Sequence, residues 1–193
     1  MADDEDVNVL NFTCKLISNF SGDKVREFVL SYYLCDQTMS MFEMAVPNSG
    51  FRPGKFLQRQ RVKNPKTKDF FAPSAFYVGA QIKVSGRIFE LLKASPHTLC
   101  LMEANSDEFP EASVQNVVQT LKNVCMQTTQ DIRTLFEVRD TTGSGFVTIQ
   151  DAQELFDAFV PKITKHGVIT LIRAFERYGG RFEYPLLLQY MRV

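Results

Sequence analysis

The sequence predicts an α+β protein in two parts, a β-rich half followed by a helical half. Three observations carry this reading. Apolar residues come in short alternating runs before about residue 104, they recur at three- and four-residue spacing after about residue 113, and between the two textures lies Asn105–Pro110, four polar residues followed by Phe109 and a proline. A chain of 193 residues is long enough to bury about 70% of the surface its unfolded form exposes, so no metal or disulfide staple is needed to hold it.

Residues 1–8, with Asp3-Asp4-Glu5-Asp6, read as a short acidic tail. Residues 24–34 alternate as a strand with Phe28, Leu30, Tyr32 and Leu34 on one face. The turn Cys35-Asp36-Gln37-Thr38 then leads into Met39-Ser40-Met41-Phe42, which is a hairpin pattern. A second hairpin centres on Ser85-Gly86, where a two-residue turn puts Ile82, Val84, Phe89 and Leu91 on one face. Strands at roughly ten-residue spacing imply a barrel or a sandwich. The 17 phenylalanines, with no tryptophan, are spread as core residues are and form no stacking platform for bases.

In the second half, Val114, Val117, Val118 and Leu121 mark a first helix, and Ile132, Leu135 and Phe136 a second. Ala152, Leu155, Phe156 and Phe159 mark a third, stopped by Pro161. Val168, Ile172 and Phe175 mark a fourth, ended by Gly179-Gly180, and residues 185–191 add a short fifth. The expected organisation is a tail (1–8), a β domain (9–106), a linker helix (107–128) and a helical module (129–193).

Residues 140–151, DTTGSGFVTIQD, have the register of an EF-hand loop between two amphipathic helices. Asp140 opens it, Thr142 and Ser144 fall at the third and fifth positions, Gly145 at the sharp turn, and Phe146 offers its carbonyl. Asp151 closes the loop where a bidentate glutamate is usual. Two acids give little charge to offset the dehydration of a divalent ion, so weak or no Ca²⁺ binding is expected, and no other cofactor. Residues 175–184, FERYGGRFEY, read as a vestigial second loop, with Phe182 pairing Val147 across a short bridge and Arg181 repelling a cation.

The charges balance, 22 Lys and Arg against 22 Asp and Glu, which argues against a nucleic-acid binder. No apolar run reaches the ~18–20 residues of a membrane span. The acidic start is the opposite of a signal peptide, so the expectation is a soluble intracellular chain. Cys14, Cys35, Cys100 and Cys125 lack C-x-x-C spacing and are expected as reduced, mostly buried thiols. His97 sits in a Pro-His-Thr turn and His166 ahead of a helix. Neither belongs to a nucleophile motif, and no P-loop, G-x-S-x-G or HExxH is present, so no enzyme is expected. The one strong local field is Arg52, Lys55, Arg59, Arg61, Lys63, Lys66 and Lys68, with no acid between them. Pro53, Gly54 and Pro65 mark it as largely loop, and it is expected to contact a partner.

The words Val29-Leu30-Ser31-Tyr32-Tyr33-Leu34, Asp36 and Thr38-Met39-Ser40-Met41-Phe42-Glu43 are followed by Asn48-Ser49-Gly50, Gly54-Lys55-Phe56-Leu57, Phe76-Tyr77-Val78-Gly79-Ala80 and Gly86-Arg87-Ile88-Phe89. Together, in this order over about residues 9–104, they resemble the DM-ten domain of ciliary proteins. With a degenerate EF-hand pair behind it, the chain resembles the C-terminal third of the myoclonin-like EF-hand proteins of cilia, as a short member with one DM-ten copy. The resemblance implies a pleckstrin-homology-like β-barrel and a non-catalytic structural role in axonemal doublet microtubules. The implied partners are the luminal α/β-tubulin lattice and other microtubule inner proteins; the implied location is cytoplasm, cytoskeleton and the axoneme of the cilium or flagellum. The chain departs from the family at Ala94-Ser95-Pro96-His97-Thr98, where an acidic residue and a tyrosine are usual. Two alternatives are a calcium-responsive axonemal regulator switched by Asp140 and Asp151, and a phosphoinositide-binding adaptor using the basic loop.

Overall fold

The computed structural model describes residues 8–128, 131–177 and 179–191, so the expected acidic tail lies outside it but for Asn8. The chain falls into two units, Met1–Phe109 and Pro110–Val193.

The first unit is a six-stranded antiparallel sheet. Its strands are β1 (Val9–Ile17), β2 (Phe28–Tyr33), β3 (Thr38–Glu43), β4 (Gly54–Gln60), β5 (Gln81–Val84) and β6 (Arg87–Ala94), in the order β4-β3-β2-β1-β6-β5. One face of the alternation is buried throughout: Leu10, Phe12 and Cys14 on β1, Phe28, Leu30 and Tyr32 on β2, Met39 and Met41 on β3. The sheet curls into a half-barrel. The register of β3 with β4 shifts twice, between Met39 and Met41 and again between Met41 and Phe42. Such irregularities bend an edge strand. Phe56 of β4 thereby meets Phe28 of β2 at 5.5 Å and Phe89 of β6 at 5.2 Å, both edge to face.

The turn at Ser85-Gly86 has φ of 49° and 78° and joins Val84 to Arg87. Both central residues are left-handed, as a tight hairpin requires, and Ile82, Val84, Phe89 and Leu91 are all buried. The strand expected over 24–34 is shorter. Ser21–Val25 is a 3-10 turn, because Arg26 turns inward. Its Nε and Nη2 donate to the two carboxylate oxygens of Glu43 at 2.7 and 2.8 Å, and its Nη1 donates to Asp23 at 2.8 Å. Its guanidinium lies 4.3 Å from the Phe51 ring centre. This fork joins the start of β2 to the end of β3.

A helix occupies the segment read as a Pro-His-Thr turn. In α1 (Pro96–Ala104), Ser95 caps by accepting from the Thr98 N–H, and Pro96 takes the first turn. Thr98 is fully buried, and its hydroxyl accepts the Asn11 N–H at 2.7 Å, tying α1 to β1. Only two of the four thiols, Cys14 and Cys125, are buried; Cys35, in the β2–β3 turn, and Cys100, on α1 beside the inward-facing Thr98 and Met102, are exposed. Burial pushes the Cys14 thiol up to about 12.

The second unit holds α2 (Val114–Thr128), α3 (Ile132–Glu137), α4 (Ile149–Asp157), α5 (Lys165–Phe175) and α6 (Tyr184–Met191). A small sheet of β7 (Phe146–Thr148), β8 (Glu176–Arg177) and β9 (Arg181–Glu183) runs in the order β7-β9-β8. The segment 107–128, expected as a linker helix, makes a 3-10 turn at Pro110–Ala112 and becomes α-helical at Val114. That helix is no spacer: Val117, Val118, Leu121, Val124 and Cys125 enter the core with Phe136, Phe156, Phe175 and Phe182. Gly179 and Gly180 do not end α5, which stops at Phe175. They lie between β8 and β9 with φ of 70° and 96°. His166 lies within α5, not ahead of it, and is buried.

Candidate functional site

The loop between α3 and α4 is organised around Asp140. Its Oδ1 accepts the Ser144 N–H at 3.1 Å and the hydroxyls of Thr142 and Ser144 at 3.1 and 3.2 Å. Its Oδ2 accepts the Gly145 N–H at 2.7 Å and the Tyr184 hydroxyl at 3.1 Å. The side chains at the third and fifth loop positions thus act as donors to the first. Burial by itself raises the Asp140 carboxyl, but the Gly145 and Ser144 N–H groups, then Thr142 and Tyr184, outweigh it and hold it at about 2. Gly145 has φ of 82°, and a Cβ there would come within 3.3 Å of Pro185. Phe146 turns its carbonyl to the Ser144 hydroxyl at 3.4 Å.

Asp151 faces a different neighbour. It accepts the Thr148 hydroxyl at 2.6 Å while its own N–H donates to the Thr148 oxygen at 3.0 Å, a reciprocal cap on the first turn of α4. Among the described residues no three His, Cys, Asp or Glu side chains converge as a metal cluster. Across the short bridge Val147 pairs with Phe182, and Thr148 with Arg181. Phe182 stacks on Phe136 at 5.6 Å and meets Phe156 edge to face at 5.5 Å.

The seven cations of the basic run are not one loop. Residues 54–60 form the edge strand β4, because Phe56 and Leu57 are apolar enough to pack on the sheet. Residues 63–70 form a closed turn, in which Asn64 N–H donates to Asp69 O at 2.7 Å and Lys68 N–H to Asn64 O at 2.8 Å. The strand divides the cations between two places. Lys55 pairs with Phe42 and Gly54 with Glu43 at one end; Gln60 pairs with Met39 at the other, beside the β2–β3 turn. Arg52 and Lys55 therefore belong to the Glu43 end, and Arg59 and Arg61 to the hairpin tip.

At that tip Arg59 donates to the Asp36 carboxylate and to the Thr38 hydroxyl, each at 2.9 Å, and lies 3.8 Å from the Tyr33 ring centre. Arg61 donates to the Asp36 carbonyl at 2.8 Å. The Thr38 hydroxyl, with its backbone N–H and Arg59, holds the Asp36 carboxyl below its usual range. Lys63 and Arg61 flank the Phe70 ring at 6.0 and 5.7 Å. All seven cations are exposed. A groove of about 480 Å³ on the outer face of β2–β4 has Tyr33, Ser40, Phe42, Lys55, Gln58 and Arg59 in its walls. Asp36 and Tyr33 are the contributors that the basic run alone does not reveal, and strand pairing brings them there.

The sequence pattern of the DM10 domain matches residues 2–98. The chain is 36% identical over 176 residues to EF-hand domain-containing family member C2 of Bos taurus, and 30% identical over 175 residues to the protein of that name from Danio rerio. These alignments cover 87% of this chain and 24% and 23% of the relatives. Against EF-hand domain-containing protein 1 of Homo sapiens it is 40% identical over 121 residues, 59% of this chain and 19% of that protein. The chain thus spans about a quarter of the length of the relatives it matches along most of its own.

Proposed function

We propose, from the premise that this chain belongs to the DM10 domain family together with EF-hand domain-containing family member C2, that it is a non-catalytic structural protein of ciliary and flagellar axonemes. In this reading it binds the luminal tubulin wall of doublet microtubules and touches neighbouring inner proteins. The half-barrel is a pleckstrin-homology-like domain, and the helical unit is a degenerate EF-hand pair that serves as a packing module.

The observation that carries the structural side of this reading is Asp140. Five protein donors surround its carboxylate, so the loop keeps its turn without help from an ion. Asp151 is turned to the α4 cap. A calcium ion would have to compete with the Thr142 and Ser144 hydroxyls for Asp140 Oδ1 and draw Asp151 away from the α4 cap, and a two-carboxylate site offers little in return. A module that needs no ion to hold its shape suits a permanent bracket.

Tubulin is acidic, and the exposed cations at the hairpin tip and in the 63–70 turn offer it a complementary field. Lys63, Lys66 and Lys68 supply the contact in this account, because Arg59 and Arg61 are already engaged by Asp36. The test is incorporation in ciliated cells. Tagged protein is expected to remain with doublets through detergent and high-salt extraction, and Lys63→Glu/Lys66→Glu/Lys68→Glu to lower that retained fraction. Wild-type protein released with detergent alone would refute the structural reading; full retention of the triple variant would refute only the assignment of the contact.

A further inference from the structure

The sheet ends in β5, which pairs with β6 and with no other strand among the described residues. Val84 pairs with Arg87 across the two-residue turn, and Leu91 N–H donates to the Ala80 carbonyl at 2.9 Å. In an antiparallel ladder such bonds recur at every second residue. Ile82 therefore turns its backbone groups to β6, while Gln81 and Lys83 turn theirs away from the sheet. The side chains alternate in the same rhythm, with Ile82 and Val84 buried and Gln81 and Lys83 exposed.

A groove of about 190 Å³ lies along this edge. Pro65 and Lys66 form its far wall, and the buried Phe71 and Ala80 its floor. The far wall is held by bonds that do not use β5. Lys66 N–H donates to Asn64 Oδ1 at 3.0 Å and Phe71 N–H to the Val62 carbonyl at 3.1 Å, while the Phe71 carbonyl accepts the Tyr32 hydroxyl at 2.9 Å. The backbone of Gln81 and Lys83 thus faces a preformed slot.

Charge selects the occupant. Lys66 and Lys83 stand on opposite walls, both exposed, and Lys63 and Lys68 share the turn with Lys66. Among the described residues no carboxylate lines the groove. The acids nearby in the chain are Asp69, on the second arm of the turn, and Glu90, whose register partners are Gln81 on one side and Lys15 on the other. A short edge guarded by lysine resists pairing with a second copy of itself. The same lysines favour a strand that carries carboxylates.

We propose that the edge of β5 is a docking site for an extended acidic segment of another protein, added as one further strand in the groove between β5 and the 63–70 turn. Gln81 and Lys83 supply the main-chain bonds, as in other strand additions. A carboxylate directly opposite Lys83 on the same face lies within cross-strand reach of it, and Lys66 supplies the second cation. This goes beyond the tubulin contact proposed above, since β5 lies outside the basic run, and it stands or falls separately.

The test adds an alternating Glu-Val peptide of about eight residues, the length of an ordinary strand, to the isotope-labelled full chain. Amide exchange at Gln81 and Lys83 is expected to be fast in the unbound protein and at least about ten-fold slower with the peptide, while Ile82 is slow in both. Lys66→Glu/Lys83→Glu should weaken binding by about ten-fold or more. N-methylation of one alternate set of the peptide's amides should abolish binding and of the other set should spare it, because only one set faces β5. Protection at neither residue, equal loss from both methylated peptides, or equal binding of a Lys-Val peptide would overturn the proposal. Inorganic polyphosphate binding at the same two amides with the same strength would overturn it too, since a site that reads charge alone needs no strand.

Discussion

The Tyr184 hydroxyl donates to Asp140 Oδ2 at 3.1 Å across 44 positions of sequence. The Tyr184 ring also stacks on Phe136, one turn before Asp140, with centroids 5.3 Å apart. The first residue of α6 thus closes the loop that precedes α4, and one side chain serves both the aromatic core and the polar turn.

Removing that hydroxyl separates the two roles. Tyr184→Phe keeps the stacking and deletes one donor to a charged acceptor. It is expected to lower the stability of the helical unit by about 1–2 kcal/mol. Urea unfolding should show this as a lower midpoint at unchanged slope.

Acid should weaken the same unit. The Asp140 carboxyl is held at about 2 in the fold against 3.8 for the free group. A depressed folded value means a contribution that is full above pH 4 and is lost as pH falls through the folded value. Asp131 is also lowered, by the Thr134 hydroxyl first. The wild type should therefore lose stability between about pH 4 and pH 2. Asp140→Asn should start less stable and show a shallower acid limb, carried by Asp131 and other carboxylates. Denaturant midpoints at successive pH values check both slopes.

The Arg26–Glu43 fork makes the sharpest stability prediction for the sheet. Both side chains are about one-tenth exposed and doubly bonded. Arg26→Met leaves a buried carboxylate without its partner and is expected to cost about 3–5 kcal/mol. Arg26→Met/Glu43→Met removes the stranded charge and should recover most of that loss. A double-mutant cycle measures the difference.

Thr98 offers a test of how α1 is fastened. Thr98→Val keeps the volume but strands the Asn11 N–H and removes a capping partner of Ser95. A loss of about 1–3 kcal/mol is expected, with Thr98→Ser close to wild type. Thermal melts of the two variants distinguish this from a simple packing effect.

Surface pairing at the hairpin tip should matter far less to stability. The Arg59–Asp36 side chains are 35% and 42% exposed. Arg59→Ala is expected to change stability by no more than about 1 kcal/mol. A larger loss would mean that the Tyr33 stacking supports the edge strand.

Local chemistry made much of the fold legible. The Ser85-Gly86 turn, flanked by alternating residues, announces a hairpin and its buried face. Valines at helical spacing announce α2, and the position of Val147 in its loop announces the pairing with Phe182. The misreadings arise where one local pattern has two structural outcomes. Ser95-Pro96-His97-Thr98 has the composition of a turn, yet a serine cap with proline in the first turn is also how a helix begins. β1 was equally legible, since Leu10, Phe12, Cys14 and Leu16 alternate with the polar Asn11, Thr13 and Lys15, the period-two pattern of a half-buried strand.

What stayed hidden is long-range. A count of charges between residues 52 and 68 finds no acid, whereas β3–β4 pairing sets Asp36 against Arg59. The inward turn of Phe56 depends on two register shifts in β4. Asp140, Thr142 and Ser144, two residues apart in sequence, come together as hydrogen-bond partners, but the direction of those bonds is settled by the protein's own donors, including a tyrosine near the other end of the unit.

The most direct measurement is a cryo-EM map of doublet microtubules from ciliated cells making this chain, compared with doublets from cells lacking it. The account predicts difference density on the luminal wall, with the curled six-stranded sheet against tubulin and the 63–70 turn at the contact. Difference density outside the doublet lumen, or none at all where the protein is abundant, would contradict it.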